Sequence, residues 1–528
     1  MSQIAFTASH HLATEAGMDI LTNGGNAVEA MVAASATVSV AYPHMTGLGG
    51  DGFWLIHKPG DEPIAIDASG YSAELASTSF FTEDKSIPSR GGKAAITIAG
   101  AVSGWQQALQ WSEQNLNGEI TLEALFKAAI KHAKEGIEVT ESLANTTKNK
   151  LSELQNITGF SEVYLRHQKP LNEGDILKQP GLVNLFEGLI EKGLMDFYQG
   201  DIAKIIAEAL GAAGSPIQDS DMEGYQAQLF EPLKCDISKG CLYNLNAPTQ
   251  GVASLIILAL YDRIYQSNWT ELERVHHLIE CTKQAFMIRD ANVTDISRLS
   301  QDLDAFLEDE FLDKLSQKIS SDQAMPWPNV AEPGDTIWMG AIDENGVMVS
   351  YIQSLYWEFG SGVVIPELGL VWNNRGVGFS LKKGHINELK PRVKPFHTLN
   401  PAMCLFKDGS RMVYGTMGGE GQPQTQAAVF SRISDLGLTP NEAIAQPRWL
   451  LGRTWGDSVN NLKLEKMLAE QIGEGLQELG HEIEVVDDLS EMMGHAGAII
   501  LHSDGKVEAG SDPRSDGQAI VNEAKNGI

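Results

Sequence analysis

Pro333-Gly-Asp-Thr-Ile-Trp-Met-Gly-Ala-Ile-Asp343 is the stretch on which the reading of this chain turns. Before it, apolar residues recur mostly at helical spacing. From Ile337 to Ile342 and from Val347 to Gln353 they form short strand-like runs around an Asp343-Glu-Asn-Gly346 turn, the pattern of a hairpin. The Pro-Gly loop feeds directly into the first strand and puts Thr336 at its start. If the Asp335–Thr336 bond breaks, Thr336 gains a free α-amine. Such amines have a pKa of about 7.7–8.0 and can take the hydroxyl proton, so one residue supplies nucleophile and base. A threonine at a strand start is also a common packing choice, and spacing by itself leaves both readings open.

Upstream, His11–Thr22 has helical spacing and stops at Gly24-Gly25, and Asn26 with Glu29 forms a capping box for a helix running to about Val40. Thr121 caps a helix from Leu122 to Ile130, and amphipathic runs follow at Leu182–Lys192, Ile202–Leu210, Ala253–Ile264 and Glu271–Ile288. Downstream, strands are expected at Val363–Ile365, Met412–Thr416 and Gly497–His502, with one late helix at Leu464–Leu479. No repeat, low-complexity tract or Pro/Ser-rich linker divides the chain. Helices flanking strands in one compact α/β unit is the expectation.

The chain has 528 residues with 39 Lys+Arg against 69 Asp+Glu, and the resulting net charge of −30 argues against a nucleic-acid or anionic-membrane partner. The N-terminus lacks the basic and apolar regions of a signal peptide, and no run approaches the roughly 20 apolar residues of a membrane span; a cytoplasmic protein is expected. Cys235, Cys241, Cys281 and Cys404 form no CxxC pair or metal cluster, so free thiols and no metal are expected, although Cys235 and Cys241 are near enough in sequence to bridge.

Glycine is in excess, with 52 residues, or about 10% against a usual 7% or so. Thr46-Gly-Leu-Gly-Gly-Asp-Gly52 has the look of a dinucleotide loop. Here, however, a helix precedes it and a strand follows, the reverse of that motif, so it reads as a close-packed turn. His276-His277 cannot share one ligand because adjacent helical residues diverge. Asp512 and Arg514 form either a buried ion pair or a polar turn.

His11-Leu-Ala-Thr-Glu-Ala-Gly, Asn23-Gly-Gly-Asn-Ala-Val, Gly47-Leu-Gly-Gly-Asp-Gly-Phe, Gly334-Asp-Thr336, Phe359-Gly-Ser-Gly, Asn373-Asn374, Gly418-Gly419 and Gly510-Ser-Asp-Pro-Arg-Ser515 occur in this order across nearly the whole chain. In this the sequence resembles the γ-glutamyltransferase family. The resemblance implies an αββα N-terminal-nucleophile hydrolase, made as one precursor that cuts itself between Asp335 and Thr336 into a large subunit, 1–335, and a small subunit, 336–528. It implies no cofactor. It makes Thr336 the nucleophile of cleavage and catalysis, Ser354 the hydroxyl beside it, and the Gly418 and Gly419 N–H groups the oxyanion hole. A homo-oligomer of the cleaved pair is compatible with it.

The departures from the family bear on substrate. Where γ-glutamyl enzymes carry an Arg that grips the substrate α-carboxylate, Ile66-Asp-Ala-Ser-Gly-Tyr71-Ser has none. The assisting Ser-Ser pair is replaced by His397-Thr398, the amine-holding residues after Asn373-Asn374 by Arg375-Gly-Val-Gly378, and an Asn by Tyr356. The pocket loses ammonium acceptors and gains a guanidinium, which suits a carboxylate without an ammonium group. Together with Pro395-Phe-His-Thr-Leu-Asn-Pro, Gly415-Thr-Met-Gly-Gly-Glu-Gly-Gln-Pro-Gln and Pro447-Arg-Trp-Leu-Leu-Gly-Arg, this resembles the oxamate amidohydrolase branch. The expected substrate is then a small anionic amide, clamped by Arg375 with His397, Thr398 and Asn374, in a pocket narrowed by Tyr71, Trp338 and Tyr356. A γ-glutamyl hydrolase or transferase, a glutaryl-type or β-lactam acylase, and an unprocessed non-catalytic member are the alternatives.

Overall fold

The computed structural model describes residues 2–327, 335–452 and 461–524; the Pro333-Gly334 loop and Arg453 lie outside the described residues. Thirteen strands make two large antiparallel sheets. In the first run β1 (Gln3–Ala8), β2 (Asp51–His57), β3 (Ile64–Ala68) and β4 (Gln228–Phe230), and in the second β5 (Leu233–Ile237) and β6 (Gly240–Asn244). After the Asp335–Thr336 bond, β7 (Asp335–Ile342) and β8 (Met348–Tyr356) join the first sheet, and β9 (Ala402–Phe406), β10 (Arg411–Thr416), β11 (Ala496–Leu501) and β12 (Val507–Ser511) the second. β13 (Gln518–Glu523) returns to the first. The orders are β13-β1-β7-β8-β2-β3-β4 and β12-β11-β10-β9-β6-β5.

Three apolar clusters fill three interfaces. One holds α1 (His11–Thr22) and α2 (Ala27–Ala41) against the first sheet, and a second holds α3 (Gly251–Ile264), α4 (Glu271–Asn292) and α5 (Gln422–Ser434) against the other. The third, with Phe53, Leu55, Trp338, Ile352, Met403 and Val413, lies between the sheets. The layers therefore run αββα. Both sheets contain strands from either side of Thr336, and in the first they interleave, so β7 pairs with β1 over Ala5↔Ile342 to Ala8↔Met339.

Local signals explain the elements that carry the site. The Asn26 side chain accepts from the Val28 and Glu29 N–H groups and the Glu29 carboxylate accepts from the Asn26 N–H, so the capping box fixes the start of α2. All fifteen residues of α2 are buried, which its Ala-rich, uncharged composition after Glu29 permits. The glycine string is the close-packed turn into β2: a methyl group at Gly49 would meet the Val371 carbonyl oxygen at 1.9 Å, and one at Gly50 the Ser354 oxygen at 2.1 Å. One expectation is corrected. Leu462–Glu465 form a strand, and the late helix begins at Lys466, because Leu462, Leu464 and the paired Lys463 and Glu465 are all buried against neighbouring backbone. Cys235 lies opposite Leu242 and Cys241 opposite Asp236, and all four thiols are free.

Candidate active site

Register places the expected nucleophile. Asp335 pairs with Tyr356 and Ile337 with Gln353 across β7 and β8, the register shifting at Thr336, which therefore lies opposite Ser354-Leu355; Ser354 in turn pairs with Asp51 across β8 and β2. Side chains alternate along a strand. Trp338 and Ile352 belong to the cluster between the sheets and Gln353 bonds Ser39 and Thr46 on the helical side, so Ser354 and Asp51 face the second sheet. Thr336, Ser354 and Asp51 are all buried. A methyl group at Gly415 would meet the Trp338 indole at 2.2 Å, and one at Gly340 would meet Val413 at 3.4 Å. β7 and β10 thus cross with 340 near 413 and 338 near 415. Trp338 itself is packing, with its indole N–H donated to Ser350 at 3.0 Å.

Gly418 and Gly419 open the turn into α5 with φ of +116° and +53°, left-handed values that favour glycine. The turn is held from behind. Gln250 donates to the carbonyls of Gly419 at 2.9 Å and Thr398 at 2.7 Å, while Arg289 donates to Gln250 at 2.9 Å and pairs with Glu420. Ser354 Oγ accepts the Tyr356 N–H at 2.8 Å.

Arg375 follows Asn374 into a short turn and is 1% exposed. Its Nη1 donates to Thr398 Oγ1 at 3.4 Å, its guanidinium lies over Tyr356, and its Nε stands 3.8 Å from Asp51 Oδ2. Nε and Nη2 have no hydrogen-bond partner among the described residues. Burial lowers the guanidinium pKa to about 10, which leaves it cationic at neutral pH. Asp51 accepts the Gly70 N–H at 3.0 Å and contacts His397 Nε2 at 3.0 Å; burial pushes its carboxyl up to about 7, against the pull of Arg375. Burial, and then Arg375, hold His397 well below its usual value, so it is neutral.

Asn374 is bonded at both ends, accepting from the Trp357 N–H and donating to the Ser89 carbonyl, and so shapes the Tyr356 loop. Tyr71 is brought to Arg392 and Tyr225, with its hydroxyl donated to the Asp221 carbonyl at 2.9 Å. Asp512 and Arg514 form the buried ion pair, at 3.1 Å. His276 and His277 diverge inside the core. Among the described residues, one trio has metal-ligating spacing, His276, Glu280 and His481, with ligand atoms within 4.8 Å. There the two histidines bond each other at 2.9 Å, and both Glu280 oxygens are engaged by Lys283 and the Met325 N–H. Sequence reasoning passed over Asp51, Gln250 and Arg289. Asp51 carried a signal, as the one charged residue in the glycine string.

Two antiparallel sheets packed face to face between helices, with a buried threonine at the head of an inner strand, define an N-terminal-nucleophile hydrolase fold. Residues 13–522 match the Gamma-glutamyltranspeptidase family model, and the chain belongs to that family, whose members hydrolyse amide C–N bonds. It is 47% identical to the oxamate amidohydrolase proenzyme of Klebsiella pneumoniae, over 97% of each chain. It is 36% identical to the glutathione hydrolase-like YwrD proenzyme of Bacillus subtilis, also over 97% of each. Cephalosporin acylase from Bacillus halodurans superimposes with a TM-score of 0.89 at 28% identity, covering 100% of this chain and 96% of that one. The protein is an amidohydrolase of this family. No helix among the described residues is long and apolar enough to cross a membrane.

Proposed function

We propose that the protein is a self-processing threonine amidohydrolase that converts oxamate to oxalate and ammonia. Thr336 Oγ first attacks the Asp335 carbonyl, and hydrolysis of the resulting ester frees the Thr336 α-amine and separates 1–335 from 336–528. In turnover the amine takes the hydroxyl proton, Oγ adds to the substrate amide, and the Gly418 and Gly419 N–H groups receive the developing oxyanion. The proton passes to the departing ammonia, and water releases oxalate from acyl-Thr336.

The observation that carries the substrate class is Arg375, a buried cation whose Nε and Nη2 make no hydrogen bond among the described residues, with only Asp51 Oδ2 at 3.8 Å from Nε. Buried N–H donors without a hydrogen bond favour a carboxylate, and a guanidinium suits one bidentately. The 47% identical relative is named for oxamate, which supports the same substrate. The relative at 36% is named for glutathione, and a γ-glutamyl hydrolase is the second reading. Ammonia release from oxamate, set against anilide release from a γ-glutamyl anilide, separates them, and activity confined to the anilide rejects the oxamate reading. A denaturing gel showing an uncut chain, unchanged by Thr336→Ala, rejects both.

A further inference from the structure

We infer that the substrate anion enters the Arg375 site together with one proton from solvent, and that Asp51 receives it. This rests on the proposed role of Arg375 as the carboxylate clamp. Asp51, His397 and Arg375 are 0%, 0% and 1% exposed, so the three share one dry volume. Without ligand, that volume holds one cation and one titratable carboxyl, with Asp51 Oδ2 3.8 Å from Arg375 Nε and 3.0 Å from His397 Nε2. A carboxylate docking on the guanidinium adds a second anion with no solvent to screen it. Two carboxylates around one buried cation raise each other's proton affinity, and one of them takes a proton. The substrate carboxyl is the weaker base, since it bears an electron-withdrawing amide carbonyl and takes hydrogen bonds from the guanidinium. Asp51 is therefore the acceptor.

Among the described residues, the neighbours leave no competing group. His397 is kept neutral by burial and by Arg375. Asp67 is paired with Lys394 at 2.7 Å and accepts from the Ser69 backbone and hydroxyl. The Tyr198, Tyr225 and Tyr351 phenols, which also feel or face Asp51, are pushed up by burial and stay protonated. The 3.0 Å contact to His397 serves both states of Asp51. The Nε2–H of one tautomer donates to the carboxylate, and the Nε2 lone pair of the other accepts from the carboxylic acid.

Burial already holds Asp51 at about 7 in the free enzyme. Above that pH the site is ionised when empty and must gain a proton on binding, so anion affinity falls about tenfold per pH unit; below it Asp51 is already protonated and the dependence vanishes. The test is calorimetric titration of the enzyme with pyruvate, a monoanion with a carbonyl beside its carboxylate and no amide to hydrolyse, at pH 8 and pH 5.5, in two buffers of very different ionisation enthalpy. The expected result is uptake of close to one proton per site at pH 8 and almost none at pH 5.5. Asp51→Asn is expected to bind pyruvate with no proton uptake and a flat affinity across that range. Pyruvate binding to wild type without proton uptake at pH 8 overturns this inference alone, and that count stands whether or not Asp51→Asn folds. If wild type does not bind pyruvate, or Arg375→Gln binds it as tightly, the clamp reading fails and this inference with it.

Discussion

The guanidinium carbon of Arg375 lies 3.8 Å from the centroid of the Tyr356 ring, and Tyr356 holds its backbone at a φ of +85° to put the ring there. A left-handed φ at a bulky residue costs on the order of 1–3 kcal/mol, and such strain is retained where the surrounding structure over-determines it. Here the Ser354 hydroxyl accepts the Tyr356 N–H, and Asn374 accepts the next N–H, that of Trp357. The stack occupies one face of the guanidinium and Thr398 its Nη1, while Nε and Nη2 make no hydrogen bond among the described residues.

Arg375→Gln is expected to raise KM for oxamate about 10- to 100-fold, the equivalent of a charge-assisted bond worth about 1.5–3 kcal/mol. KM for a neutral amide should change much less. Arg375→Lys is not expected to rescue the loss, because a point ammonium cannot keep the stack on Tyr356 and bind a carboxylate bidentately. Steady-state kinetics on the two substrates check this, and equal effects on both would remove Arg375 from the clamp.

Tyr356→Phe keeps the ring over the cation and is expected to leave KM within about twofold. Tyr356→Ala loses a desolvated cation–π contact worth about 2 kcal/mol and should raise KM for oxamate by roughly 30-fold, with kcat less affected. The comparison is informative because both substitutions remove the hydroxyl. A similar KM for the two variants would show that the ring does not position Arg375.

Much of this site was legible in the sequence, and the parts that were not share a cause. Thr336, Ser354 and the glycine pair were named through the family resemblance; spacing alone reads a threonine at a strand start as packing and a glycine pair after a strand as a bend. Arg375 stood out as a charge where ammonium acceptors were expected. Asp51 did not, because its role depends on His397 and Arg375, more than 320 positions away, and a lone Asp beside glycines also suits an ordinary turn. Gln250 and Arg289 were equally hidden, since a helix pattern gives no hint that the residue just before α3 and a polar residue on α4 meet at a turn near residue 419. The late helix was begun two residues early because Leu462–Glu465 has too few residues for its period to be read.

Gly418→Ala tests the oxyanion turn. A Cβ there would have only Gly494 at an ordinary 3.6 Å, so space is not the obstacle; the obstacle is the φ of +116°. Relaxation of that angle turns the following N–H groups away from the oxyanion, and kcat is expected to fall about 10²- to 10³-fold with KM little changed. Gln250→Leu, which frees the Gly419 carbonyl from its 2.9 Å bond, should move kcat in the same direction by a smaller factor. A KM-only effect of Gly418→Ala would place the oxyanion hole elsewhere.

Gly50→Ala should act on the frame beneath the site. The added methyl would stand 2.1 Å from the Ser354 carbonyl oxygen and 2.7 Å from its carbon, both backbone atoms with no rotamer to yield. β2 would have to move away from β8, parting Asp51 from Ser354, whose pairing aligns the site. The Gly50 carbonyl also accepts the Gly100 and Ala101 N–H groups, at 2.9 and 3.0 Å, so the shift would pass to the start of the next helix. Overpacking against rigid backbone costs about 1–3 kcal/mol or more, and a fall in Tm with incomplete self-cleavage is expected. Gly60→Ala provides the control: a Cβ there meets nothing within 4 Å, so its cost comes only from a φ of +91°, and cleavage should proceed normally. Equal effects of Gly50→Ala and Gly60→Ala on cleavage would show that conformational preference, and not the close approach to Ser354, is what the glycine string provides.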